Sequence, residues 1–113
     1  MKELLAKSRL VNPTRLLMID LDLVVDWLWL KEYRRMIRLL LKSYGLSATA
    51  IRITPSRNKG YHVRVYLNKA VHAETANMLQ MLLCDDHGRV DFNRARIKVG
   101  FPDWNKLWED PKA

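Results

Sequence analysis

Residues 56–67, SRNKGYHVRVYL, join a short basic loop to a segment in which apolar and polar side chains alternate. Apolar residues recur at every second position from Val63 to Leu67, which is typical of a strand with one buried face. The opposite face begins with a single histidine, His62, directly after Gly60 and Tyr61. We therefore expect a strand over residues 61–67 whose polar face begins next to a loop of small and basic residues.

Three further segments have the same alternation. Residues 16–22 (LLMIDLD), 48–54 (ATAIRIT) and 96–101 (RIKVGF) each place apolar side chains on one face and polar or charged side chains on the other. Each segment has the length of an ordinary strand. The sequence thus predicts four strands, each with one face turned to a core.

Helical spacing appears in two of the intervening segments. Residues 26–44 carry apolar side chains three and four positions apart, with Asp26 as N-cap and Gly45 as the C-terminal stop. Residues 72–83 predict a second helix. The segment that follows, residues 84–95, is ambiguous between a short helix and a turn.

The predicted element order is β-α-β-β-α-β, which indicates an α+β fold of the ferredoxin-like or RRM-like kind. That plan has a four-stranded antiparallel sheet with two helices on one face, and it makes the strands at 16–22 and 61–67 central neighbours. We expect a single domain over residues 1–113, with a core at about 16–101 and a tail at 102–113. A short helix is also expected at residues 2–10.

Composition narrows the choice of partner. The chain has 20 Lys and Arg against 12 Asp and Glu, a net charge of +8, which favours a polyanion such as single-stranded DNA or RNA, or nucleotides. Cys84 is the single cysteine, so a disulfide framework and a multi-cysteine zinc knuckle are excluded. The most apolar window, residues 16–30, contains three aspartates, and the N-terminus does not resemble a signal peptide. We expect a cytoplasmic, intracellular protein without a membrane segment.

Antiparallel pairing of the first and third strands is expected to bring acidic side chains and a histidine close together. Asp20 and Asp22 end one strand, and His62 begins the other, so all three side chains are expected on the open face at one edge of the sheet. Two such carboxylates suit a hard divalent cation, Mg²⁺ or Mn²⁺, bound together with phosphate oxygens. The expected phosphate contacts from the loop and strand are Ser56, Arg57, Lys59, Gly60 and Arg64.

The open face also has the composition of a nucleic-acid platform. Tyr66 offers a ring on which a base can stack, and basic residues can neutralise phosphates. The residues expected to bind nucleic acid are Arg52, Tyr66, Arg96 and Lys98.

These residues resemble the catalytic core of the archaeo-eukaryotic primase superfamily. The segment LLMIDLD resembles its first motif, a hydrophobic strand ending in D-x-D, and SRNKGYHVRV resembles its second, a small residue and a histidine entering a strand. Val90 and Asp91 in RVDF match the third motif, a hydrophobic residue followed by a carboxylate. The resemblance covers about residues 16–100, although members of that family are usually longer and carry an extra flanking unit.

The resemblance implies a primase-like nucleotidyltransferase that joins nucleotides on a single-stranded template during DNA replication. It implies that Asp20, Asp22 and Asp91 are catalytic metal ligands, and that His62 contacts nucleotide phosphate together with Arg57 and Lys59. The cofactor would be Mg²⁺ or Mn²⁺.

Other functions stay open at this point. A non-catalytic RRM-like module that binds single-stranded DNA or RNA explains the charge, but it gives no role to two aspartates on that face. A rolling-circle nicking enzyme needs two alternating histidines, and HVRV supplies one. A homodimer, a larger replication assembly or a purely structural interface also remains open. The tryptophans available for such an interface are Trp27, Trp29, Trp104 and Trp108.

Overall fold

A computed structural model describes residues 12–57 and 59–105 of the chain. Within these residues it has an α+β fold with three strands and three helices. In chain order these are β1 Thr14–Leu21, α1 Trp27–Ser43, β2 Ala48–Pro55, β3 Tyr61–Val71, α2 Ala73–Leu82 and α3 His87–Lys98. The helix expected at residues 2–10 and the residue Trp108 lie outside the described residues.

The three strands form one antiparallel sheet in the order β1-β3-β2. The prediction that residues 16–22 and 61–67 are antiparallel neighbours is confirmed, with Asp20 paired to His62 in register. The central strand is β3. In the described part of the chain β1 is an edge strand, so the prediction that it is central is wrong.

One face of the sheet is covered by the helices and forms the core. The apolar positions of β1 and β3 are almost completely inaccessible, and α1 adds Tyr33, Ile37 and Leu41 to the same cluster. Burial of each large aliphatic side chain contributes roughly 1.5–3 kcal/mol. The buried strand residues are Leu17, Ile19, Leu21, Ile51, Val63, Val65 and Leu67.

The boundaries of α1 follow the capping signals of the sequence. The carboxylate of Asp26 accepts a hydrogen bond from the Trp29 backbone N–H at 2.9 Å, which confirms the N-cap. Gly45 has a φ of +71°, and the Leu46 N–H returns to the Leu41 carbonyl at 2.9 Å. This is a Schellman ending, which favours glycine because its φ is positive.

The predicted fourth strand at residues 96–101 is wrong. Residues 96–98 belong to α3, and Gly100, with a φ of +77°, ends that helix. Val99 and Phe101, which the alternation placed inward, are 78% and 49% exposed. Alternation over only three apolar positions is weak evidence for a strand, and here the capping glycine prevails.

The start of α3 gives the physical reason for this correction. Asp86 caps the helix by accepting from the Arg89 N–H at 3.0 Å, and burial at Val90, Asn93 and Ile97 follows helical spacing. Two of the four buried positions of α3, Arg89 and Asn93, are polar, which hid the helix from a search for apolar periodicity. The described chain therefore has three helices rather than two.

Side chains from the α2–α3 region occupy the place beside β1 that a fourth strand would fill. The Met18 N–H donates to Gln80 Oε1 at 2.9 Å, and the Asp20 N–H donates to Asp85 Oδ1 at 2.8 Å. Arg89 donates to the Met18 carbonyl at 2.8 Å. These bonds satisfy backbone groups of an edge strand that would otherwise need another strand or water.

The same side chains bind one another beneath the surface. Arg89 donates to Asp85 Oδ2 at 2.6 Å, and both residues are less than a tenth exposed. Burial raises the pKa of Asp85, while the Arg89 charge and two backbone N–H donors oppose that rise. Asn105 accepts from Arg89 at 2.7 Å and donates to Gln80 at 2.8 Å. Every buried polar side-chain atom among the described residues has a partner.

We predict that Arg89→Met lowers the free energy of unfolding by about 3–5 kcal/mol, because it leaves the buried Asp85 carboxylate and the Met18 carbonyl without their donor. Urea denaturation followed by circular dichroism measures this loss. Arg94→Met is the matched control, since Arg94 pairs with Asp91 on the exposed side of α3, and it should cost less than about 1 kcal/mol. Equal losses in the two variants would contradict the role given to the buried pair.

Candidate functional site

The open face of the sheet carries a polar row at the end where β1 finishes and β3 begins. Asp20 on β1, His62 on β3 and Thr54 on β2 are direct cross-strand partners. Asp20 Oδ1 lies 3.9 Å from His62 Nε2, which is longer than a hydrogen bond. The register therefore brings together two of the side chains that the sequence assigned to one site.

His62 is more enclosed than its position on an open sheet face suggests. The residue is only 9% exposed. Burial lowers the pKa of His62 from its usual value of 6.5; Asp20 partly opposes this, and the charges of Arg64 and Arg89 lower the pKa further. The imidazole is consequently neutral at neutral pH. A neutral ring has one N–H to donate and one nitrogen to accept or to ligate.

Asp20 has the opposite perturbation. Burial raises the pKa of its carboxyl group, His62 and Arg89 lower it, and the negative charges of Asp86 and Asp22 raise it again. The Asp20 side chain keeps 39% of its surface accessible, and Asp22 is exposed. The end of β1 thus holds a partly buried carboxylate whose ionised form is disfavoured. The exposed part of this side chain is accessible to a cation.

Gly60 packs directly against the end of β1. Its φ is +94°, and a Cβ there would lie 2.1 Å from the Leu21 carbonyl oxygen and 3.1 Å from Asp22 Cα. A side chain cannot fit in that space, so the residue must be glycine. This contact brings the loop before β3 against the aspartate end of β1, as the predicted phosphate site requires.

Ser56 closes the loop before β3 through two hydrogen bonds. Ser56 donates through its hydroxyl to the Lys59 carbonyl at 2.8 Å, and its N–H donates to the Gly60 carbonyl at 3.0 Å. Ser56 thus shapes the turn with the groups it was expected to offer to phosphate. Arg57 and Lys59 are exposed at this end of the sheet.

The third predicted acidic residue lies elsewhere. Asp91 is exposed on α3 and pairs with Arg94 at 3.4 Å, one helical turn beyond the start of that helix. The additional carboxylate whose charge acts on Asp20 is Asp86, the N-cap of α3. Sequence reasoning missed Asp86. Its signal was the N-cap pattern of an aspartate three residues before Arg89, which becomes informative only once α3 is recognised as a helix.

Two of the four predicted nucleic-acid contacts, Arg52 and Tyr66, lie on the open face of the sheet. Arg52 on β2 is the direct partner of Arg64 on β3, and Tyr66 lies two residues further along β3. Arg96 and Lys98 do not belong to this face, because they lie on α3. There Arg96 covers the Phe92 ring at 5.7 Å and donates to Asn93.

The residues present fit a divalent cation only in part. Within residues 12–57 and 59–105, no three His, Cys, Asp or Glu side chains converge closely enough to hold a metal ion by themselves. Asp20 and Asp22 offer two carboxylates at one strand end. That donor set fits Mg²⁺ or Mn²⁺ arriving with nucleotide phosphates, since Mg²⁺ commonly takes one or two carboxylates and completes its shell with phosphate and water.

No protein-family model, curated protein or solved structure matches this chain. The likeness to the primase superfamily therefore rests on the quoted motifs alone. None of the helices in the described part of the chain has the length and apolarity needed to cross a bilayer.

We predict that Asp20→Asn raises the free energy of unfolding at pH 8. The folded-state pKa of Asp20 lies above its usual 3.8, so ionisation of Asp20 favours the unfolded chain, and this loss grows as the pH rises through the folded pKa. The advantage of the variant should shrink as the pH falls towards 3.8.

Urea denaturation at pH 8 and at pH 4 measures both differences. Glu32→Gln is the control, because Glu32 is exposed and pairs with Arg35 at the surface, and it should change stability by less than about 0.5 kcal/mol. A less stable Asp20→Asn at pH 8 would show that the carboxylate supports the fold rather than straining it.

Proposed function

We propose that this protein is a primase-like nucleotidyltransferase core, which joins nucleotides on a single-stranded nucleic-acid template with Mg²⁺ or Mn²⁺. The observation that carries the proposal is the β1–β3 register, which pairs Asp20 with His62. The close approach of Gly60 to Leu21 and Asp22 supports it by bringing the basic loop to the same end. Two carboxylates can hold a divalent metal together with nucleotide phosphates, and a histidine and a basic glycine loop can donate hydrogen bonds to those phosphates.

Each residue has a distinct task in this proposal. Asp20 and Asp22 would hold the metal, whose chemistry is to neutralise developing charge on the phosphate and to orient the attacking and leaving oxygens. His62 donates a hydrogen bond to a phosphate oxygen from its neutral ring. Arg57 and Lys59 neutralise the outer phosphates from the loop.

The electrostatics of Asp20 support a cation-binding role. Its charge is disfavoured by burial and by the carboxylates of Asp86 and Asp22, and a bound cation would relieve all three effects. Such a site is held in a costly ionisation state until the ligand arrives, which is common at functional sites. Two residues are candidates for the third acidic residue. Asp91 matches the motif of the primase superfamily, and the charge of Asp86 acts on Asp20.

We predict that Asp20→Asn abolishes metal-dependent nucleotide transfer while the variant stays folded. The assay incubates the protein with labelled nucleotide, a single-stranded template and Mn²⁺ or Mg²⁺, and it resolves extension and de novo products on a gel. His62→Ala should weaken nucleotide binding more than binding of the template strand.

Glu32→Gln, on the outer surface of α1, should keep wild-type activity. Parallel assays of Asp86→Asn and Asp91→Asn decide which carboxylate is the third acidic residue. If the wild type transfers no nucleotide with either metal, and calorimetry finds no metal uptake with nucleotide present, the catalytic proposal fails.

A second candidate is a non-catalytic module that binds single-stranded DNA or RNA. One specific observation favours it: Arg52 and Arg64 lie directly opposite each other on the open face. Two guanidinium groups in direct cross-strand register can both contact the phosphates of one strand that lies across the face. Tyr66 lies next to this pair and presents its ring to the same face.

We predict salt-sensitive binding of single-stranded oligonucleotides through this face. The logarithm of the affinity should fall by about 0.7 per phosphate contact for each unit in log salt, and Arg52→Gln should reduce that slope by about one contact. Fluorescence anisotropy over a salt series measures both quantities. Arg35→Gln on the outer surface of α1 is the control. A slope that Arg35→Gln reduces as much as Arg52→Gln does would contradict binding through the open face.

A further inference from the structure

A groove of about 320 Å³ lies on the helix side of the sheet, between the first turns of α1 and the adjoining ends of β2 and β3. Nothing in the proposed catalytic site uses it, because that site lies on the open face. The groove has the size of a small-ligand pocket. Its lining includes two aromatic rings, Trp27 and Tyr61, the apolar side chains Leu30 and Ile53, and the cations Lys31 and Arg34.

The Trp27 ring of the groove is exposed to solvent rather than packed into the core. Trp27 is 69% exposed, although it stands in the first turn of a helix whose inner face is buried. Tyr61 is held in place because its hydroxyl donates to the Val25 carbonyl at 3.3 Å. An exposed indole beside a fixed phenol ring, above an apolar floor, suits a flat aromatic ligand, since stacking on such rings does not depend on which base is bound.

The charge of the groove has one sign. Lys31 and Arg34 are the charged residues in its lining, and no carboxylate is among the described residues that line it. Arg34 is fixed by its hydrogen bond to the Ile51 carbonyl at 2.9 Å. Lys31 Nζ lies over one face of the Trp27 ring, 5.5 Å from its centre, so a cation stands directly against the aromatic surface. A ligand that matches both features is planar, aromatic and anionic.

We infer that this groove is a nucleotide-binding site, separate from the one on the open face. The base stacks on Trp27, and the phosphate pairs with Lys31 and Arg34. The nucleotide is either free or the terminal residue of a strand, which present the same base and phosphate. The inference does not rest on catalysis, because the groove and the Asp20–His62 row lie on opposite faces of the sheet.

Equilibrium dialysis with labelled AMP, and then with a 5′-phosphorylated hexanucleotide, tests the site on the full chain. Trp27→Ala should weaken binding by about 5- to 150-fold, the range measured when a stacking ring is removed. Lys31→Gln should weaken binding of AMP but not of adenosine, which lacks the phosphate. Leu28→Ala and Arg35→Gln are the controls, since both residues are exposed on α1 outside the groove.

The outcomes separate the sources of the ligand and the two sites. AMP binding that depends on Trp27 indicates a free nucleotide, and dependence seen only with the hexanucleotide indicates a strand end. If neither ligand depends on Trp27 and Lys31, or if His62→Ala removes AMP binding while Trp27→Ala does not, the inference is overturned. Nucleotide transfer can fail in the wild type without affecting any of these results.

Discussion

The buried ion pair of Asp85 and Arg89 against the edge of β1 is the interaction on which this fold depends. A three-stranded sheet leaves the outer N–H and C=O groups of β1 without strand partners, and buried backbone groups must be bonded. Asp85 accepts from the Asp20 N–H, and Arg89 donates to the Met18 carbonyl. The pair thereby joins the α2–α3 region to the sheet. Removing one member leaves an uncompensated charge in the interior, which costs far more than a surface pair.

The opposite edge of the sheet is protected in a related way. Arg34 and Arg38 on α1 donate to the carbonyls of Ile51 and Ala48 on β2, and Pro55 ends that strand without an N–H to offer. Charged side chains and proline on an edge strand prevent pairing with other chains. With side chains from the helices covering both edges, the open face of the sheet stays accessible to ligands.

Asp20 belongs both to the hydrogen bonds that hold β1 in place and to the candidate site. Asp20 gives its backbone N–H to Asp85 and its carboxylate to the open face, so the strand is held rigidly on one side while its side chain stays partly solvated. Burial lowers the pKa of His62 and raises the pKa of Asp20, so it disfavours the charged form of both side chains. A site built on two strands fixed in register holds its groups more closely than one built on loops. The rigid pairing of the two strands explains how the fold can hold a functional group, such as the Asp20 carboxylate, that lowers its stability.

The sequence by itself determined the local features of this protein. Alternation at residues 61–67, the cap at Asp26 and the stop at Gly45 are set by side chains close in the chain, and the pairing of β1 with β3 follows from the order of elements. The tertiary structure decided the rest. Asp85 and Arg89 are buried because they bond to the edge of β1, which the sequence does not indicate. Two polar residues on the buried face of α3, Arg89 and Asn93, concealed a helix whose last turn was expected to be a strand. Only the fold showed Asp86 beside Asp20, because that proximity depends on contacts between residues more than sixty positions apart.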